Sequence, residues 1–159
     1  SKRVFEDDIN GVFVGGEKLG DNYKIYERGR VIISSLQDND LSGAGNGQTI
    51  KWQRCRGALE HDSSYGVEGD GAEDGSFKGM GDAKHWKDWI RAEPGTAVMF
   101  VEVAYQYEPI TPFEFFGETE MQYTAAFNVR DSRDLTQLYQ TNPASPVAAC
   151  DVYSADRPS

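Results

Sequence analysis

The chain has 159 residues, about one domain's length, and it buries enough surface to fold without a metal or a disulfide. Its 26 acidic residues outnumber the 16 Lys and Arg, which leaves a formal net charge of −10. Binding to phosphate backbones and anionic lipid headgroups depends on Lys and Arg, so neither a nucleic acid nor a lipid surface is an expected partner. With 3 Trp, 8 Tyr and 8 Phe, the composition predicts one acidic, aromatic-rich domain over residues 1–159.

Helical periodicity marks the start of the chain. Apolar residues recur at spacings of four and three, at Phe5, Ile9 and Phe13 and then at Leu19, Tyr23 and Tyr26. The pair Gly15-Gly16 is expected to divide this stretch into two helices, and Gly29 is expected to end the second.

Four strands follow in the predicted order. Residues 31–36 and 49–55 form a hairpin with a long polar tip, and Ile50 and Trp52 are expected on one face. Residues 96–107 contain a nearly continuous apolar run, which is typical of a central strand covered on both faces. Residues 121–129 alternate as a half-buried strand does. The fold class is therefore α+β, with N-terminal helical segments packed on an antiparallel sheet of about four strands.

The longest predicted loop covers residues 57–82 and is rich in glycine and acidic residues. Loops of this length are usually functional or disordered. Asp70 and Asp74 are candidate calcium ligands, because Asp70-x-Ala72-x-Asp74-Gly75 matches part of an EF-hand loop. The match lacks a carboxylate at its third position and has Gly81 at its twelfth, so a solvated acidic loop is the alternative. A helical turn is predicted over residues 85–90, before Pro94.

The two cysteines, Cys55 and Cys150, permit one disulfide. Loop-closure entropy assigns such a cross-link about 4–5 kcal/mol of stability. A disulfide would indicate an oxidising compartment. Two free buried thiols are the alternative. The spacing of the two histidines matches no zinc pattern, and no cofactor is expected.

Signatures of catalysis are sparse. The chain has no G-x-S-x-G motif and no phosphate-binding loop, and His61 is interpreted as a solvated surface residue. Glu102 lies within the strongest predicted strand, where a structural carboxylate paired with Arg54 or Arg56 is expected. A hydrolase that uses Glu102 and a second acid is the alternative. The tryptophans are expected in the core or at interfaces, with a carbohydrate-binding platform as the other interpretation: Trp52, Trp86 and Trp89.

Several segments together resemble one family. They are Gly16-Glu17-Lys18-Leu19-Gly20-Asp21, Tyr26-Glu27-Arg28-Gly29-Arg30-Val31, Ile50-Lys51-Trp52-Gln53-Arg54-Cys55-Arg56-Gly57, Tyr65-Gly66-Val67-Glu68-Gly69, Gly79-Met80-Gly81 and Pro94-Gly95-Thr96-Ala97-Val98-Met99-Phe100-Val101-Glu102-Val103-Ala104-Tyr105. In this order they resemble the extracytoplasmic part of TadE-like proteins, the minor pseudopilins of the tight-adherence (Flp) pilus. The blocks Trp-Gln-Arg-Cys and Ala-Val-Met-Phe-Val-Glu are the specific parts of the resemblance.

The resemblance implies a pilin-like domain without enzymatic activity, which assembles a pilus for surface adhesion. It would lie on the periplasmic side of the inner membrane or within the pilus. Other major and minor pilins and the assembly machinery would be its partners. The chain begins at Ser1 without an initiator Met or a signal-peptide region, so we interpret it as a piece of a longer protein. An apolar membrane-anchoring helix is expected before Ser1, and loose ends are expected over 1–10 and 151–159.

Aromatic residues outside the predicted strands are candidate interface residues, because aromatics are enriched at protein–protein contacts. They are Trp86, Trp89, Phe113, Phe115 and Phe116. Packing of the three phenylalanines as a satellite core is the alternative. At the level of function, a pilus-tip adhesin that binds a sugar or calcium is the alternative to a pure assembly subunit.

Overall fold

The computed structural model describes residues 3–19, 24–41, 43, 46–82, 88–107, 119–129 and 134–159. Two helices and six strands occur in these residues. In chain order they are β1 (Arg3–Phe5), α1 (Glu6–Leu19), α2 (Ile25–Arg28), β2 (Gly29–Asp38), β3 (Gln48–Arg56), β4 (Ala97–Tyr107), β5 (Thr119–Val129) and β6 (Asp134–Tyr139).

The main sheet has the strand order β3-β2-β4-β5, and every neighbouring pair is antiparallel. The helices lie on one face of this sheet. The predicted α+β class is therefore confirmed, as are the four predicted strands to within a few residues at their ends.

Interactions at its N-terminus and the burial of one apolar face position helix α1. Three acidic residues in its first turn interact favourably with the positive end of the helix dipole, and the Asp8 carboxylate also accepts a hydrogen bond from the Phe5 N–H at 2.9 Å. Ile9 and Phe13, four residues apart, are buried against the sheet. The apolar spacing read from the sequence therefore identified the face of α1 that packs.

The predicted break at Gly15-Gly16 is wrong, because α1 continues through both glycines to Leu19. Gly16 instead permits a close approach between the helices. A Cβ atom at Gly16 would lie 2.4 Å from the Tyr26 Oη, whereas a Cβ at Gly15 would meet nothing within 4 Å. The Tyr26 hydroxyl is held in place, because it donates a hydrogen bond to the Phe13 carbonyl at 2.7 Å.

We expect Gly15→Ala and Gly16→Ala to change stability in opposite directions. Gly15→Ala gains helix propensity and should stabilise the protein by about 0.5–1 kcal/mol. Gly16→Ala gains the same propensity but must displace Tyr26, and such overpacking costs about 1–3 kcal/mol. Urea unfolding of the two variants beside the wild type measures the difference. Equal stabilisation by both substitutions would contradict the close packing of Tyr26 on α1.

Hydrophobic clusters cover both faces of the sheet. On the helix face, buried residues of α1, α2 and the strands pack together, with Phe13, Tyr26, Trp52 and Met99 among them. On the opposite face, the long connection between β3 and β4 covers a second cluster: Leu36, Ile50, Met80, Ala92, Val98 and Phe100. The central strands are therefore covered on both sides, as the apolar run in β4 predicts.

A β-bulge separates Ile50 from Trp52. Ser35 pairs with Trp52 whereas Leu36 pairs with Ile50, so Lys51 is the extra residue of β3. The predicted placement of Ile50 and Trp52 on one face is therefore wrong. Trp52 packs on the helix face and Ile50 on the loop face, because the bulge reverses the alternation of β3.

Both ends of the chain are tied to the domain where the structure describes them, in contrast to the predicted loose ends. Strand β1 pairs in parallel with β6, which the sequence analysis missed because β1 has only three residues and its partner strand lies more than 100 residues away in the chain. At the other end, the Arg56 guanidinium donates to the Ala155 carbonyl from Nε at 3.0 Å and from Nη2 at 2.8 Å. No helix among the described residues is both long and apolar enough to cross a bilayer.

Candidate functional site

The two outer edges of the main sheet differ in their environment. The outer edge of β3, which has no neighbouring strand in the main sheet, is hydrogen-bonded to other parts of the chain. Ile50 N–H donates to the Asp70 carbonyl at 3.0 Å, and Cys55 N–H donates to the Ala148 carbonyl at 2.9 Å. The long loop and the C-terminal tail thus occupy backbone groups that a new strand would need.

A disulfide and a buried arginine hold the tail against this edge. Cys55 and Cys150 are bonded, with their Cα atoms 4.8 Å apart, so the predicted disulfide is confirmed. Arg30 is fully buried, and its guanidinium donates to the carbonyls of Val152 at 2.9 Å and Gly57 at 3.1 Å. The same guanidinium lies over the Tyr153 ring, 4.2 Å from its centroid.

The β5 edge, in contrast, is exposed. Residues 120–128 are exposed throughout, and no backbone hydrogen bond to the outer edge of β5 occurs among the described residues. Met121, Tyr123 and Phe127 are 53%, 68% and 54% exposed and share one face of the strand. With Ala125 between Tyr123 and Phe127, these side chains form an apolar row along the outer strand of the sheet.

This row is the continuation of the helix-covered face. Met121, Tyr123 and Phe127 pair with Tyr105, Val103 and Met99 of β4, and Met99 belongs to the helix-face cluster. Burial decreases from β2 toward β5, because the helices contact the sheet over β2 and β4. The alternation of β5 correctly predicted a strand, but its apolar face is not buried within this chain.

Comparisons of the chain with protein-family models, curated proteins and solved structures return no match. The β5 row is therefore assigned as the candidate functional site from its geometry. Tyr123 at its centre is the most exposed large hydrophobic side chain among the described residues.

Most of the predicted interface aromatics lie outside the described residues: Trp86, Phe113, Phe115 and Phe116. Trp89 is described and is half-buried. It lines an open cleft of about 540 Å³ together with Tyr65 and Phe77. Ser64, Ser76, Lys78 and Asp82 also line this cleft, so aromatic and hydrogen-bonding groups meet there.

The two calcium candidates have backbone partners within the long loop. One carboxylate oxygen of Asp70 accepts a hydrogen bond from the Val67 N–H at 2.9 Å. Asp74 accepts one from the Ser76 N–H at 2.8 Å, and hydrogen bonds from Ser76 lower the pKa of Asp74. No group of three or more potential metal ligands occurs in the described part of the chain. Calcium binding stays a prediction.

Glu102 is buried, but its expected pairing with Arg54 or Arg56 is wrong. Its carboxylate accepts hydrogen bonds from the Ser63 hydroxyl at 2.6 Å and the Ser64 N–H at 3.0 Å. The register explains the difference, since Glu102 pairs with Ile32 and thus faces the long loop. Arg54 and Arg56 pair with Ile33 and Val31, whose side chains face the helices.

Burial raises the pKa of Glu102, although the hydrogen bonds from Ser63 and Ser64 act in the opposite direction. His61 lies nearby and contributes a smaller lowering effect. His61 is only 14% exposed at its side chain, and its Nδ1 lies 3.1 Å from a carboxylate oxygen of Glu120, so it is not the solvated residue that was predicted. Glu102 is only 3% exposed, and its carboxylate holds residues 63 and 64 of the long loop against β4.

Glu102→Gln should remove a pH-dependent cost of burial. A carboxyl group with a raised pKa favours folding below its unfolded pKa, and this contribution is lost as the pH rises through the folded pKa. The wild type should therefore lose stability relative to Glu102→Gln as the pH rises above the ordinary glutamate pKa and through the raised pKa of the folded state. Urea unfolding at several pH values measures this, with Glu93→Gln at an exposed position as the control. A stability difference independent of pH would contradict the raised pKa.

Sequence reasoning missed two deeply buried charged residues, Arg30 and Glu6. Arg30 follows Gly29 in a strand whose next even-numbered positions are Ile32, Ser34 and Leu36. Because alternate residues of a strand share one face, these neighbours indicated that Arg30 lies on a buried face of β2. The partners of Arg30 are backbone carbonyls distant in sequence, which no local pattern reveals.

Proposed function

We propose that this chain is the extracytoplasmic domain of a TadE-like minor pseudopilin, which takes part in assembly of a tight-adherence (Flp) pilus through protein–protein contacts. The proposal assigns the chain no catalysis and no cofactor. Its place is the outer side of the inner membrane or the pilus itself, and its partners are other pilus subunits.

The observation that carries the proposal is the exposed apolar row of β5. Isolated exposed hydrophobic residues are ordinary, but a row along an open sheet edge is typical of an interaction surface. Met121, Tyr123 and Phe127 supply such a row beside backbone groups that can accept a further strand. An assembly subunit requires a surface of this kind, whereas an enzyme does not.

Two further features support the proposal. The helices packed on an antiparallel sheet give the chain the α+β class that the resemblance implies. The disulfide between Cys55 and Cys150 suits an oxidising compartment, because such bonds persist outside the cytoplasm. The segments 50–57 and 94–105, which carry the specific part of the resemblance, include most of β3 and most of β4.

The test is co-capture of pilus subunits from cells that make the full-length protein. After cross-linking in the cell, the tagged wild type should retain pilin subunits, and Tyr123→Lys/Phe127→Lys should lose them together with assembled pili. Val12→Lys/Val152→Lys introduces the same charges at similarly exposed positions on α1 and the tail and is the control. Normal pili with the β5 variant, or a wild type that retains no pilus subunit, would overturn the proposal.

A ligand-binding module is the second candidate function, and the cleft at Trp89 is the observation that favours it. Aromatic faces beside hydroxyl and carboxylate groups suit a sugar ring, which has both apolar faces and hydrogen-bonding edges. Binding of oligosaccharides that Trp89→Ala abolishes, with the fold intact by circular dichroism, would favour this function. Absence of binding by the wild type would remove it.

A further inference from the structure

The sequence of β5 and its pairing with β4 show none of the usual devices that protect a sheet edge, among the residues that the structure describes. Its eleven residues contain no Lys, Arg, Pro or Gly. Its ladder with β4 runs from Ala97–Val129 to Tyr107–Thr119 without a bulge. Natural proteins commonly use charges, prolines, bulges or short strands to block such an edge. A long, regular and unprotected edge is therefore suited to pairing with another strand.

The side chains of β5 are self-complementary about Thr124. Consider a second copy of β5 that runs antiparallel to the first, with the two Thr124 residues opposite each other. Each residue then faces the residue of the other copy that lies equally far from Thr124 in the opposite direction along the sequence. Tyr123 then lies opposite Ala125, a large residue against a small one. In the same register Met121 faces Phe127, Gln122 faces Ala126 and Glu120 faces Asn128.

Charge favours a second copy in this register even though the chain carries a net charge of −10. Glu120 is the one ionised side chain of β5, and it lies at one end. The symmetric pairing places it opposite the neutral Asn128, and the two Glu120 residues lie about 27 Å apart along the strands. Like charges directly opposite each other, which destabilise strand pairs, are therefore avoided.

We infer that two copies of this chain associate through antiparallel pairing of β5 with β5, centred on Thr124. The inference rests on the proposed role of β5 as the contact surface and names its partner. The pairing joins the two sheets and places the apolar rows side by side. Eleven residues a side are fewer than the 20–30 of a standard stable interface, so the dimer is reversible and concentration-dependent.

Disulfide trapping tests the register directly. Thr124→Cys places two thiols opposite each other, at a Cα separation of about 4.5–5.5 Å in an antiparallel pair, which a disulfide spans. With oxidised glutathione as the oxidant, we expect a covalent dimer on non-reducing gels. Gln122→Cys is the matched control on the same strand, because its two copies lie about 14 Å apart in this register. Lys51→Cys on the exposed side of β3 controls for random collision.

Sedimentation of the purified chain from about 1 µM to about 500 µM tests the association itself. The wild type should shift from monomer toward dimer, and Tyr123→Lys should stay monomeric because two lysines are then brought together near the centre. A wild type that is monomeric throughout, or equal trapping of Thr124→Cys and Lys51→Cys, would overturn the inference.

These results separate the inference from the proposed function. A monomeric chain that still loses pilus subunits when β5 is changed would refute self-pairing and leave the proposed function standing. A dimer that retains no pilus subunit from cells would support self-pairing and refute the proposed function.

Discussion

Removal of the disulfide should lower the free energy of unfolding by about 4–5 kcal/mol, a large part of the stability of a domain of this size. Cys55 and Cys150 are 95 residues apart, and in the loop-closure account a cross-link of this span restricts the unfolded chain strongly. The bond also joins β3 to the tail, whose carbonyls at Cys150 and Val152 accept hydrogen bonds from the buried guanidinium of Arg30. Loss of the bond therefore weakens the closure of the β3 edge as well.

Urea unfolding of the Cys55→Ala/Cys150→Ala variant measures this effect. The denaturant dependence should become steeper, because the unfolded chain without a cross-link exposes more surface. The wild type under a reducing agent is the control, since it keeps both side chains in place. A loss below about 1 kcal/mol in both samples would show that the cross-link contributes little and contradict the loop-closure account.

Arg54→Met should destabilise the protein by about 3–5 kcal/mol, because it leaves the carboxylate of Glu6 buried without a cation. Arg54 donates two parallel hydrogen bonds to Glu6, from Nε at 2.9 Å and from Nη2 at 2.5 Å. Glu6 is only 4% exposed. Arg54 also contacts Glu68, but that residue is half exposed and its contact is worth less.

Two further variants test why Arg54→Met is expected to lose stability. Glu6→Gln/Arg54→Met removes both charges and should recover much of the stability, because the cost comes from the unpaired ion. Arg157→Met breaks the contact of a 64% exposed side chain with Glu17 and should change stability little, because solvent screens this pair. Thermal or urea unfolding compares them. A loss for Arg54→Met no larger than that for Arg157→Met would contradict a buried ion pair.

The fold was predictable wherever a local pattern specified it. The spacing of Ile9 and Phe13 identified the packed face of α1, and the apolar run of β4 identified a strand with two covered faces. The helix break at Gly15-Gly16 was mispredicted because low helix propensity was read as a stop. The tertiary contact with Tyr26 instead makes Gly16 necessary within a continuous helix.

The exposed row of β5 and the buried ion pair were harder to predict, because residues distant in sequence decide which side chains are covered. The alternation of Met121, Tyr123 and Phe127 predicted an inward face in β5, yet these residues lie beyond the reach of the helices. Arg54 could not be assigned to Glu6, 48 residues away, since the bulge and the register of β3 decide which face it takes.

By itself the sequence determined the order of the four strands of the main sheet after the N-terminal helices, the α+β class and the availability of one pair of cysteines. These properties follow from hydrophobic periodicity, turn residues and composition, which act over a few residues at a time. Only the tertiary structure decided which sheet edge is closed, which is open and which charges are buried. Each of these depends on segments distant in sequence meeting in space, such as Arg30 and Val152, which are 122 residues apart. No residue pattern within one strand encodes what covers it.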